Sequence, residues 1–344
     1  MGSEMCIRDS SPDGTTIAFA YKGDLYSVSV NGGEARQLTT HAAFDSHPVW
    51  SPDSKKIAFQ SNREGSLDIF VIDAKGGAPT RLTTNSGSET PIAFADNDHV
   101  LYSASLQPTA QSIIFGDNTF PQVYKVSTKG GRPELFSTLT MENISIAKNG
   151  DILYHDKKGY EDPWRKHQKS PIARDIWLKS NGKFTKQTTF AGEDRSPVWT
   201  SDEKSFFYLS EQDGTFNIYR RSLNSSSDKQ ITHHKGNPVR FLTASSADLL
   251  CYGYDGEIYT VKEGAIPQKV QISIVTDKND KDLIRQIKRS GATEISLSPD
   301  AKEIAFVLRG DVYVTSTEYS TTKQITNTPV SYTHLRAHET LRHL

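Results

Sequence analysis

The sequence predicts an all-β fold built by repetition of one four-stranded unit. Three observations carry this reading. First, a turn motif recurs, as SPDGTTIAF at 11–19, SPDSKKIAF at 51–59 and SPDAKEIAF at 298–306. Weaker copies stand at 94–102, 146–154, 200–208 and 243–252. Second, the first copies are about 40 residues apart, and later steps lengthen where loops are inserted. Third, apolar residues alternate with polar ones in short runs, the period of a strand rather than a helix.

Each unit divides into four strand-like segments. The first is short and apolar, as in His-Pro-Val-Trp at 47–50 and Ser-Pro-Val-Trp at 196–199. The Ser-Pro-Asp turn follows, where Pro presets φ and Asp with Gly or a small residue closes the bend. The second strand, Lys-Ile-Ala-Phe or its like, should send Ile and Phe to one face and Ala to the other. The third carries an aromatic, as in DLYSVSV at 24–30, DIFVIDA at 68–74 and DVYVTST at 311–317. Gly-Gly hairpins at 31–33, 75–77 and 129–131 lead to a fourth strand ending in Leu-Thr or Ile-Thr.

Four strands of about five residues cannot bury both faces alone. Stacked face to face around an axis they can, at roughly 1.5–3 kcal/mol per large apolar side chain removed from water. The fold expected is therefore a β-propeller of four-stranded antiparallel blades, in which radial closure leaves only short edges exposed. An open solenoid has shorter repeats and no four-strand meander. Six units occupy 11–272, forming a six-bladed ring. A charged linker follows at 273–291, with helix-spaced Leu283 and Ile287, and then a seventh unit at 292–329. A single seven-bladed ring is the alternative. The preferred reading makes the seventh unit the first blade of a second, truncated propeller.

The ends break the pattern. MGSEMCIRDS at 1–10 and VSYTHLRAHETLRHL at 330–344 show no period-2 alternation and resemble translated sequencing adapter, so both are read as artefactual. The chain is then expected to be an internal piece of a longer protein. The first strand of blade one should fall in 1–10, so that inner strand is expected to be missing or wrong.

Lys+Arg 40 against Asp+Glu 41 gives a net charge of −1, which disfavours binding driven by phosphate neutralisation. No apolar run approaches the roughly 20 residues of a membrane span. Cys6 and Cys251 are too few for a disulfide framework or a cysteine zinc site. There is no Gly-x-Ser-x-Gly, His-Glu-x-x-His, Walker or Gly-x-Gly-x-x-Gly motif, so no catalytic residue, metal site or cofactor is expected. His233-His234 reads as a solvated loop, and the acidic run at 192–195 as locally paired or solvated.

Two long insertions stand out. GYEDPWRKHQKSPIARD at 159–175 clusters Trp164, Arg165, Lys166, His167 and Arg174 between the second and third strands of blade four. Loops of this length are functional or disordered more often than hairpins are. One reading is a contact for peptide carboxylates, which the planar Arg fork suits, or for a neighbouring domain. The other is a packing plug that simply buries Trp164. The insertion at 106–121, with Ile113, Ile114 and Phe115, would pack on another domain or subunit, or on its own blade.

The repeat resembles that of TolB and of tricorn protease. The ordered loops are closer to tricorn: VNGGEARQLTTHAAFDSHPVWSPD, SNREGSLDIFVIDAKGGAPTRLTTNSGSE, YEDPWRKHQKS, GEDRSPVW and GYDGEIY resemble the N-terminal region of bacterial tricorn-like serine peptidases. The resemblance covers 11–329. It implies a six-bladed propeller followed by a seven-bladed one, a PDZ domain and a peptidase core, in a cytoplasmic hexamer that cleaves oligopeptides, with an exported enzyme as the alternative. The propeller would be non-catalytic and would gate or channel peptides to or from a downstream active site. Trp164, Arg165 and His167, with Arg195 and Arg240 on inner-strand loops, are the substrate-contact candidates. A TolB-like binding scaffold without hydrolase activity is the competing reading, and the lid of a prolyl-oligopeptidase-type enzyme a third.

Overall fold

The computed structural model describes residues 8–105, 120–159, 169–223, 225, 227–275 and 290–326. These residues form β-strands, turns and loops, with no helix among them. Blades one to six span 8–37, 45–81, 89–137, 141–186, 194–230 and 240–269, each a four-stranded antiparallel meander in sequence order. A seventh sheet of the same design spans 292–324.

The ring closes after six blades. The first strand of each blade packs on the blade before it, and blade six's Arg240–Ala244 packs on blade one's Arg8–Ser10. At that seam the Ser10 and Thr243 hydroxyls lie 2.8 Å apart, and Ser246 donates its N–H to the Pro12 carbonyl at 2.7 Å. Arg8–Ser10 thus takes the inner-strand place, three residues long where blade two uses the six of Asp45–Trp50. Asp9 is enclosed there, its carboxyl pushed up to about 7 by burial.

A second closure was not foreseen. Ile272–Ile274 adds to blade one as a fifth strand, parallel to Gly33–Gln37. The chain therefore stays in the ring two residues past the boundary that the repeat suggests. Gly32 permits this: its φ is +85°, and a Cβ there would stand 2.5 Å from the Gln271 carbonyl oxygen.

The alternation works as the pattern predicts. Ile17 and Phe19 pack toward blade six with Cys251, Ile258 and Val270, while Ala18 and Ala20 face blade two. Blade two's Ile57 and Phe59 fill the space those alanines leave, and its own Ala58 meets blade three. Large on one face and small on the other lets identical units nest at crystal-like density. Cross-strand aromatic pairs reinforce several blades, including Phe19–Tyr26, Phe59–Phe70 and Tyr252–Tyr259.

The motif residues have physical duties. In the Ser-Pro-Asp turn, Ser51 donates its hydroxyl to Asp53 at 2.7 Å, and the Ser51 oxygen accepts the Lys56 N–H at 2.9 Å. Thr200-Ser-Asp202 and Ser298-Pro-Asp300 repeat the device. The Thr of Leu-Thr or Ile-Thr accepts the N–H of the third strand's second residue: Thr39 from Leu25, Thr83 from Ile69, and Thr232 from Ile218, all at 2.9 Å.

Candidate functional site: the loop-bearing end of the ring

Both long insertions leave the ring at one end. The first joins His99–Ala104 to Gln122–Ser127, and the second joins Ile152–Asp156 to Ile176–Ser180. In these blades the end of the second strand pairs with the start of the first, Ala104 with Glu89 and Asp156 with Met141. The first strands of blades five and six begin at that end too, with Arg195 the second residue of one and Arg240 the first of the other. Trp164, Arg165, Lys166 and His167, like Ile113, Ile114 and Phe115, lie outside the described residues.

Arg195 and Arg240 hold equivalent positions. Each pairs across to the second strand just before a bulge, Arg195 with Leu209 and Arg240 with Gly253. The bulged residues Ser196 and Phe241 are left-handed, with φ of +51° and +54°. The same register places Ser46 in blade two and Glu142 in blade four, ahead of left-handed His47 and Asn143. Such bulges re-aim side chains at a strand's end. Arg195 is largely enclosed, bonded from Nε to Glu193 Oε2 at 2.6 Å, with its guanidinium 5.3 Å from the Phe216 ring centroid. Arg240 is half-buried and itself engaged.

Around Arg195 lies a buried charge network that the sequence did not reveal. Glu142 Oε2 accepts from His155 Nε2 and from Arg174 Nε, both at 3.1 Å. Arg174 reaches Glu193 Oε1 at 3.4 Å, and Lys157 stands 3.6 Å from Glu142 Oε1. Ser196 donates its backbone N–H to His155 Nδ1 at 3.1 Å. Arg174, grouped from sequence with the loop's basic residues, is therefore not available to a ligand. It is 5% exposed and consumed by two carboxylates. The acidic run at 192–195 is paired locally through Glu193, but it is not solvated.

The electrostatics follow from burial. Enclosure opposes ionisation of Glu142, yet the His155 hydrogen bond and the charges of Arg174 and Lys157 hold its carboxyl below the usual range. His155 is pushed down by burial and by the Arg174 and Arg195 charges, against the pull of Glu142. With Nδ1 accepting from Ser196, it is the neutral Nε2–H tautomer. Ser196, His155 and Glu142 stand in the order of a catalytic triad. The group that meets the imidazole is an amide donor, however, so His155 is not placed as a base on a hydroxyl. Among the described residues no group of three or more His, Cys, Asp or Glu is arranged to hold a metal.

The histidine pair behaves differently from its sequence reading. His233 is exposed, but His234 stacks on Tyr254 with centroids 3.9 Å apart and lies 2.8 Å from the Tyr252 hydroxyl.

The model of the Tricorn protease N-terminal beta propeller domain matches residues 5–265. The chain belongs to this family. It is 24% identical over 275 residues to Tricorn protease homolog 1 of Streptomyces coelicolor, covering 78% of this chain and 25% of that protein. It is 26% identical over 263 residues to Tricorn protease of Thermoplasma volcanium, covering 73% and 24%. The crystal structure of the tricorn protease superposes with a TM-score of 0.65 at 19% identity, over 94% of this chain and 31% of that one. The chain thus spans about a quarter of the length of the curated relatives it matches. In this tricorn-type propeller Glu142 shares the register of Arg195 and Arg240, which the irregular first strand of blade four hides in the sequence. Nothing local marks His155, because its partners Glu142 and Ser196 come from other strands.

Proposed function

We propose that the chain is a non-catalytic propeller of a tricorn-like serine peptidase, gating or channelling oligopeptides to or from an active site elsewhere in the parent protein. The observation that supports this most is spatial. The strand ends that anchor both long insertions lie at one end of the closed ring with Arg195 and Arg240, the end at which a peptide would enter or leave on this reading. On this reading the centre of the ring would admit an extended chain and exclude a folded one.

The seventh sheet supports a second ring beyond the first. Trp50, Phe94 and Trp199 hold the same register position in the first strands of blades two, three and five and are at most 9% exposed, each covered by the preceding blade. Leu297, the corresponding residue of the seventh sheet, is 54% exposed and Ile295 is 70% exposed. A neighbouring blade of a second propeller would cover them. On this reading the linker runs from 275 to 291, two residues later than the repeat suggests, and PDZ and peptidase domains complete a cytoplasmic, hexameric parent enzyme.

Two experiments test the proposal. The chain alone should not hydrolyse unstructured peptides; hydrolysis abolished by one Ser substitution within it would overturn the non-catalytic reading. In the full-length parent, Trp164→Ala with Arg165→Ala should slow peptide turnover more than it lowers the melting temperature. Equal melting loss with unchanged turnover would make the 159–175 loop a packing element only.

A further inference from the structure

Asp194 opens the first strand of blade five, at the seam with blade four beside the charge network. It is 1% exposed, and neither carboxylate oxygen meets a donor in hydrogen-bond geometry, although the Ser210 and Thr188 hydroxyls stand beside it. Among the described residues no cation pairs with it, and the carboxylates that act on it have cations of their own. Asp175 across the seam is already paired with Lys158 and Lys186, and Asp228 with Arg221. Tyr208 and Tyr219 face it from the second and third strands of its own blade. Glu193 and Arg195, its chain neighbours, are bonded to each other.

Blade two shows what is missing. Asp45 holds the equivalent position, paired in register with Ser61 as Asp194 is with Ser210. Two residues after Ser61, Arg63 donates from Nη2 to Asp45 Oδ2 at 2.7 Å. Two residues after Ser210 the chain has Gln212 in place of that arginine. Glu89 opens blade three in the same way, 1% exposed and with both oxygens unpartnered.

We propose that Asp194 is a proton switch of the blade four–five seam: protonated, its carboxyl fits the closed seam, and ionised, it becomes a buried charge without a cation that loosens the end of the ring carrying the 159–175 loop. A buried carboxylate with no counterion is costly enough that the group holds its proton instead. Burial pushes this carboxyl up to about 7, with Asp175 and Asp228 adding to the effect. The sign follows. Between the unfolded value near 4 and the folded value near 7 the native state binds the extra proton, so stability falls as pH rises through that window and is flat beyond it.

The test compares melting temperatures of the full chain with those of Asp194→Asn and Gln212→Arg from pH 4.5 to 8.5. Differences from the parent sequence isolate this group from the others that titrate. Asp194→Asn should gain on the parent as pH rises to about 7, by roughly 4 °C or more, and then hold a constant lead. Gln212→Arg should match or trail the parent at pH 4.5 and exceed it at pH 8, because the arginine pairs with the ionised carboxylate as Arg63 does with Asp45. A pH-independent difference for Asp194→Asn, or a lead that shrinks as pH rises, would overturn the proposal. So would a Gln212→Arg variant that is less stable at pH 8 than at pH 4.5, relative to the parent.

Discussion

Ser196 donates its backbone N–H to Nδ1 of His155 at 3.1 Å, tying the bulge of blade five to the second strand of blade four. The opposite ring nitrogen serves Glu142, so one imidazole satisfies a donor and an acceptor in two blades. His155→Ala should destabilise the chain by about 1–3 kcal/mol, because it leaves the buried Ser196 amide unpaired. Denaturant unfolding would measure this. The His155 value is depressed by burial, so the unfolded state takes up its proton first as pH falls below about 6.5. The wild-type advantage over His155→Ala should therefore shrink on acidification, the opposite sense to the Asp194 pair.

Gly32 and Gly33 make a matched pair. Both have positive φ, but only at Gly32 would a Cβ collide, with the Gln271 carbonyl; at Gly33 there is open space. Gly33→Ala should cost about 1 kcal/mol of backbone strain, and Gly32→Ala clearly more, by displacing the strand Ile272–Ile274 from blade one. Urea midpoints of the two variants would separate the terms.

Thr232→Val preserves shape and removes the hydroxyl that accepts the Ile218 N–H at 2.9 Å and donates to Asn217 Oδ1 at 2.9 Å. Both bonds are buried, and the loss should be about 1–3 kcal/mol in a thermal melt. An unchanged melt would show that the Ile-Thr motif serves packing alone.

Trp199 and Trp50 anchor their blades alike. Trp199 Nε1 donates to the Ser145 carbonyl at 3.1 Å, and Trp50 Nε1 to the Asp9 carbonyl at 3.0 Å. Trp199→Phe retains most of the ring and loses that bond, so a destabilisation of about 1 kcal/mol or somewhat more is expected, read by calorimetry.

Strand order and facing were legible because each is written locally and repeated. Ser51 and Asp53 close their turn through contacts within five residues. Ile57, Ala58 and Phe59 state by alternation which face is bulky. Thr83 was visible as a motif residue, though its role was not, since the Ile69 amide it caps is 14 residues away. For Arg174 the sequence left ligand contact and packing both open, because its partners Glu142 and Glu193 lie 32 and 19 residues away.

The sequence by itself determined a ring of nested four-stranded units, since period-2 alternation and turn chemistry act over a few residues and recur. Only the tertiary structure decided which charges are neutralised, where the ring is sealed by Ile272–Ile274, and that Asp194 lacks the cation Asp45 has. Those outcomes depend on Coulombic and steric contacts between strands far apart in the chain, and the repeat brings such strands together without specifying the side chains that will meet.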